Sequence, residues 1–402
     1  MTTGATTRAS RGASRSDAAE RAAASLPHAG GSAARPLLCT IWSAPAPPTL
    51  TGAQWEQFIA HARRSRLIAR LAEHFRAQGW LDAVPLGPAT ALRNALKEAR
   101  RQHDETVWEV ARLRDALLRI PGPIVLLKGA AYVLAGLPPH RGRLFGDIDL
   151  MVDRADLRDA EGALFAAGWI ATRLDPYDER YYRDWMHELP PMEHVERRTH
   201  IDVHHTITPP TSRYAVDSAL LLRELAPLAG QPRLFVLCPA DMVLHSASHL
   251  LQEGDFGAGL RDLLDFRDLL EHFGRDPAFW PALAARARQL GLSGPLDYMC
   301  RLSQSLLDAA PLPESFRTEL LKQAPPGPGR RLTLRLLSIV LVGGGPAGPA
   351  LGEPLARWLL YVRSHWIRMP WYRILPHLAR KAWFRARSRW AVAEPPTAEG
   401  QG

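Results

Sequence analysis

Three polar sites in the middle of the chain carry residue types that can do chemistry. Lys128-Gly129 directly follows the apolar run Ile124-Val125-Leu126-Leu127. Gly146-Asp147-Ile148-Asp149-Leu150-Met151-Val152 and Thr199-His200-Ile201-Asp202-Val203-His204-His205 both alternate polar and apolar residues. Alternation is the mark of a strand, so Asp147 and Asp149 share one face, and His200, Asp202 and His204 share a face of another. Two carboxylates about 7 Å apart along a strand can hold a hard divalent cation, which takes oxygen ligands. A strand that runs through glycine into a helix start presents backbone N–H groups to an anion. A phosphate cradle beside metal-binding carboxylates implies phosphoryl or nucleotidyl transfer.

The neighbouring polar residues admit more than one reading. His200, Asp202 and His204 form a donor set for Zn²⁺ or Mn²⁺. The favoured reading is a carboxylate site whose histidines touch an acceptor or support the carboxylates. His187-Glu188 either lines an acceptor pocket or is structural, and Arg143 either neutralises charge at the site or is a surface loop arginine. His245, His249, Arg261 and Asp265 fall on helices that cover the site, with a packing role favoured over a chemical one.

The elements that must position these residues form an α+β chain, a small mixed sheet flanked by helical regions on both sides. Residues 37–121 read as two helices. The first opens at Thr51 and carries Phe58, Ile59, Ala62, Leu67, Ile68, Leu71 and Phe75 to a stop at Gly79. The second runs from Pro88 to Leu118 with Leu92, Leu96, Val107, Val110, Leu113 and Leu117 on its apolar stripe. Residues 122–210 are the α/β core. It holds strand 124–127, helix 130–136, strand 147–152, a helix capped by the Asp153–Asp156 turn, strand 169–172 and the strand around Asp202. Residues 211–325 return to helices, interrupted by a strand at Leu234–Leu237. Helices are expected from Pro239 and over Gly259–Phe273. Residues 326–402 are a basic, Trp-rich extension.

Composition narrows the class. Residues 1–36 are mostly Ala, Ser, Thr, Gly and Arg, too apolar-poor to offset ordering entropy, so a disordered tail is expected. A transit peptide has a similar look. The three cysteines are far apart and argue for a reducing compartment or simple burial rather than a disulfide framework. No apolar run is long enough to span a bilayer, so a cytoplasmic protein is expected. The net charge is +9, and the nine Arg or Lys between Pro354 and Val392 account for all of it. The α/β core is therefore not basic, and nucleic acid is an unfavoured partner. The 354–390 segment interleaves its cations with tryptophans, which suits peripheral contact with an anionic inner membrane or an acidic partner.

The pattern LLKG…R-x-x-GDIDLMV…HEL…IDVHH resembles the nucleotidyltransferase superfamily that includes DNA polymerase beta and the aminoglycoside nucleotidyltransferases. It is most similar to the uncharacterised bacterial nucleotidyltransferase-like family of polysaccharide and peptide-modification gene clusters. The resemblance covers about residues 45–275. It implies that Asp147, Asp149 and Asp202 are catalytic and bind Mg²⁺, with Mn²⁺ as an alternative. It implies a nucleotide contact by Lys128, Gly129, Arg143 and Gly146, with His187, Glu188 and His204 near the acceptor. The implied reaction moves an NMP group, AMP from ATP or the corresponding group of another NTP, to the hydroxyl of a sugar, small molecule, peptide or protein. Ala130 departs from the pattern, because the superfamily usually has serine there to hold a terminal phosphate. The rival expectation is a non-catalytic module of the same fold, attached to a membrane or a partner by its basic tail.

Overall fold

The computed structural model describes residues 35–171, 185–325, 327–343 and 352–370, with Glu179, Tyr182, Arg183 and Tyr372. The tail expected to be disordered lies outside the described residues up to residue 34. So do the C-terminal tryptophans Trp371, Trp383 and Trp390.

Short strands of β-branched and other apolar residues build the centre. They are β1 (Ile124–Leu126), β2 (Ile148–Met151), β3 (Trp169–Ala171), β4 (Met192–His194), β5 (His200–His204), β6 (Leu225–Pro227) and β7 (Leu234–Leu237). Their order in one mixed seven-stranded sheet is β3-β4-β5-β2-β1-β7-β6. β2 runs parallel to β5 and antiparallel to β1, and β1 runs parallel to β7. Ile148, Leu150, Met151 and Val152 are all buried. Burial of such side chains stabilises by about 1.5–3 kcal/mol each, which fixes β2 in the middle of the sheet. The sheet runs past residue 210, because β6 and β7 extend it beside β1.

The N-terminal flank comprises α1 (Leu37–Thr40), α2 (Gly52–Arg64), α3 (Ile68–Ala77) and α4 (Leu86–Ala116). Thr51 opens α2 with a reciprocal cap to Gln54. The single helix expected from Thr51 to Gly79 is two. Arg66 takes φ +54 and Leu67 N–H donates back to Ala62, which ends α2 and turns the chain into α3. Val107 is not on the buried stripe of α4, being 37% exposed, whereas Thr106, Glu109 and Val110 are buried. The 3.6-residue period carries the stripe through 106, 110 and 113 and leaves 107 to one side.

Two short helices follow within the sheet region, α5 (Lys128–Leu134) and α6 (Leu157–Ala166), and both pack on α4. Asp153 caps the turn before α6. The C-terminal flank comprises α7 (Ser218–Leu222), α8 (Pro239–Gln252), α9 (Gly259–Phe273), α10 (Phe279–Gln289), α11 (Ser293–Leu307), α12 (Glu314–Gln323), α13 (Pro328–Val342) and α14 (Glu353–Arg368). Arg286 of α10 makes a two-pronged buried ion pair with Asp241 of α8, at 2.7 Å for each contact. No helix among the described residues is long and apolar enough to cross a membrane.

The basic segment begins as a docked helix. Thr211 donates to the Arg368 carbonyl at 2.7 Å, Arg363 donates to the Leu251 carbonyl at 3.1 Å, and Arg213 stacks on Trp366. Leu355, Trp358, Val362 and Trp366 are left exposed along α14.

Two clamps hold the site region. Buried Arg70 pairs with Asp268 and donates to the carbonyls of Pro138, Pro139 and Arg141, joining α3 and α9 across the loop between α5 and β2. Gly142 in that loop takes φ +71, and a Cβ there would lie 2.4 Å from the Ala69 carbonyl oxygen, so glycine is required. Arg197, before β5, pairs with buried Glu109 of α4 at 2.6 Å and lies over the rings of Trp108 and Trp169.

Candidate active site

The site starts at the turn from β1 into α5. Leu127 is extended, and Lys128 then takes φ +42, a left-handed conformation that costs an L-residue about 1–2 kcal/mol. The turn directs the Lys128 ammonium onto Asp149 Oδ1 at 2.8 Å. Gly129 follows inside α5. A Cβ there would meet the Phe145 ring at 2.7 Å, so the glycine is required by the packing of Phe145. Ala130, at the position of the usual serine, is buried. Gly146 is exposed, with open space where a Cβ would go.

The carboxylates come together through strand register. Asp147 stands exposed just before β2, and Asp149 lies within it, 5% exposed. Asp149 is directly opposite Asp202 on β5. His204, two residues on and on the same face as Asp202, places Nε2 3.0 Å from Asp149 Oδ1. Its Nδ1 is 3.3 Å from Glu188 Oε2. The segment carrying His187 and Glu188 reaches this point because it pairs with the end of β5. His205 N–H donates to the His187 carbonyl and Leu189 N–H to that of Val203. The 187–189 segment and β4 thus line the same edge of β5, with Pro190 and Pro191 between them.

The electrostatics follow from this crowding. Burial disfavours the Asp149 carboxylate, but Lys128 and His204 overcome it and hold the group well below the usual carboxylate range. Burial likewise opposes charge on Lys128 and His204, yet Asp149 draws both upward, with Glu188 adding to the effect on His204. At Asp202 the lowering by His204 is outweighed. Burial, then the charges of Asp149 and Glu188, push it up to about 7. Desolvation and Asp149 also raise Asp147. His187 is held far down by burial and by His204.

Helices α5, α8 and α9 close around this group. Arg143 is buried rather than a surface loop arginine, ion-paired with Asp265 of α9 and lying over the Tyr132 ring. Burial, with Arg261 beside it, lowers Arg143 to about 10. His245 of α8 is lowered by burial and then by the charge of Lys128, and His249 falls to about 4 for the same reasons. His200 is exposed, 4.0 Å from Glu193, and does not join His204 and Asp202 in a donor set.

The structure therefore gathers Lys128, Asp147, Asp149, Asp202, His204, Glu188 and His187, and commits Arg143 to Asp265. The Arg143–Asp265 pair and the contact of Glu188 with His204 join residues far apart in sequence, and no local pattern announces either. Asp147 and Asp202 form no ion pair among the described residues, and Asp202 is raised by burial and then by surplus negative charge. Surplus carboxylate charge attracts a hard divalent cation, but among the described residues these three aspartates do not converge as closely as His187, Glu188 and His204, whose ligand atoms lie within 4.8 Å of one another.

No curated protein and no solved structure compared with the chain matches it. A family model does, over residues 51–308, a span that contains every residue of the site and well over half of the chain. The protein belongs to the family described as uncharacterised nucleotidyltransferase.

Proposed function

We propose that the protein transfers an NMP group, AMP from ATP, to an acceptor hydroxyl in a reaction that depends on Mg²⁺. The observation that supports this most is the register of Asp149 against Asp202, with Asp147 two residues before Asp149 on the same face. Asp147, Asp149 and Asp202 would hold the cation, which when bound neutralises the triphosphate and stabilises charge on the attacking and leaving oxygens.

The chain's own residues take the remaining roles. Asp202, opposite Asp149 in the sheet, accepts the proton of the acceptor hydroxyl. The acceptor oxygen bonds to the α-phosphorus, the bond to the bridging oxygen breaks, and pyrophosphate leaves. Lys128 keeps Asp149 ionised and places a cation next to the phosphates. His204 fixes the Asp149 carboxylate from its other side.

The test is transfer of label from ATP labelled at the α-phosphate to a panel of hydroxyl acceptors in the presence of Mg²⁺. The expected result is transfer by the wild type and a loss of at least about 100-fold in Asp147→Ala/Asp149→Ala. Equal transfer by both proteins would overturn the proposal.

Contact with an anionic membrane is a separate proposal. It is supported by the exposed stripe Leu355, Trp358, Val362 and Trp366 and by the nine cations of 354–392. Co-sedimentation with phosphatidylserine vesicles, lost at high salt and on truncation after Gly352, is the expected outcome; salt-independent or absent binding would refute it.

A further inference from the structure

Three donors meet at a point that the three-aspartate site does not use. One ligand atom from each of His187, Glu188 and His204 lies within 4.8 Å of the others. Glu188 Oε2 and His204 Nδ1 are 3.3 Å apart. Bonds of about 2.0–2.2 Å from a tetrahedral zinc ion separate neighbouring donors by about 3.4 Å, so this pair already stands at the chelating distance. The His187 ring lies beside that of His204, with centroids 5.1 Å apart and planes tilted by 38°.

The nitrogens are otherwise unsatisfied. His204 is 1% exposed, and both its Nδ1 and the buried Nδ1 of His187 lack a hydrogen-bond partner among the described residues. Glu188 is close to His204 Nδ1 but not aligned for a hydrogen bond. A buried polar atom without a partner costs about 1–3 kcal/mol, and an ion held by the three residues would relieve His204 Nδ1 beside Glu188. The far side of His204 is already arranged as a metal-bound imidazole requires. Its Nε2 is 3.0 Å from Asp149 Oδ1, and a carboxylate that receives the remote N–H of a ligating histidine fixes its tautomer and raises its affinity for metal.

We propose that His187, Glu188 and His204 bind one Zn²⁺-class transition-metal ion, separate from the cation of the three aspartates. Two imidazoles and one carboxylate are borderline ligands that favour Zn²⁺, or Co²⁺ in its place, over Mg²⁺. The ion ties the 187–189 segment to the end of β5. It also obliges His204 to present Nε2–H to Asp149, so its occupancy orients a carboxylate of the neighbouring site. The rival arrangement is a protonated His204 bridging Glu188 and Asp149 with no metal.

The test uses the full chain, stripped of metal, titrated with Co²⁺ and then with Zn²⁺ against a chromophoric chelator. One equivalent is expected to bind with the visible absorption of four- or five-coordinate Co²⁺, displaced by Zn²⁺ and not by millimolar Mg²⁺. His187→Ala and Glu188→Gln should each weaken binding by about 100-fold or more, and Asp149→Asn by about 10–100-fold. Asp147→Asn should leave it unchanged. Absence of stoichiometric binding, or equal binding by the ligand variants, overturns the proposal. If the variants do not fold, X-ray absorption of the zinc-loaded wild type decides. Two imidazoles in the first coordination sphere support the site, and fewer than two overturn it. Zinc binding is read without nucleotide, so failure of nucleotidyl transfer and failure of this site are separate outcomes.

Discussion

Replacing Asp202 by Asn removes one charge from a cluster that also holds Asp147, Asp149 and Glu188. In the folded protein burial and then Asp149 and Glu188 push Asp202 up to about 7, from an ordinary 3.8. Between these values the folded chain keeps a proton that the unfolded chain has lost. The group therefore lowers stability progressively as pH rises through that window, and by a constant amount above it. One pKa unit corresponds to about 1.4 kcal/mol, which gives an upper bound of about 4 kcal/mol. Asp202 keeps partial contact with solvent, and screening reduces the expected penalty to about 2 kcal/mol. Without divalent cations at pH 8, Asp202→Asn should therefore melt about 4 °C above the wild type by circular dichroism. At pH 4 the difference should shrink to about a quarter. Saturating Mg²⁺ should raise the wild-type midpoint and leave the variant's little changed. A variant less stable than the wild type at pH 8, or a difference independent of pH, would refute the charge-crowding argument.

Two further perturbations probe the frame around the site. Lys128→Ala and Lys128→Gly both remove the cation from Asp149, but at φ +42 glycine should be the more stable of the two by about 1 kcal/mol in urea unfolding; the reverse order, normal in a relaxed helix, would show that the turn is unstrained. Arg197→Ala leaves Glu109 buried without its partner, so a loss of about 3 kcal/mol in urea is expected, and a change under about 0.5 kcal/mol would refute the anchoring role.

Much of the frame was legible because it is local. The alternation around Asp147 and Asp149, and again around Asp202, gives strands wherever one side must face a core. Helix α9 could be read to its ends from its leucine period. What escaped depends on partners distant in sequence. The run Leu234–Leu237 reads as a strand, yet nothing local says that it lies beside β1. β4 escaped because Met-Glu-His offers a single apolar residue, too little for a period. The break at Arg66 lies in a run of good helix formers and is set by a backbone turn rather than by glycine or proline. At the site, register brought Asp149 and Asp202 together as alternation alone could not. The Glu188–His204 contact arises because residues 187–189 pair with the far end of β5. Membership of the family states the class of reaction, whereas the charge balance among Lys128, Asp149 and His204 is visible only in the folded chain.

The proposed reaction moves the α-phosphoryl group of a nucleotide, with its nucleoside, rather than the terminal one. Parallel reactions with ATP labelled at the α- or the γ-phosphate, in Mg²⁺ and with the same acceptors, test it most directly. α-Label is expected on the acceptor and γ-label only in released pyrophosphate. γ-Label on the acceptor, or α-label transferred equally by Asp147→Ala/Asp149→Ala, would contradict it.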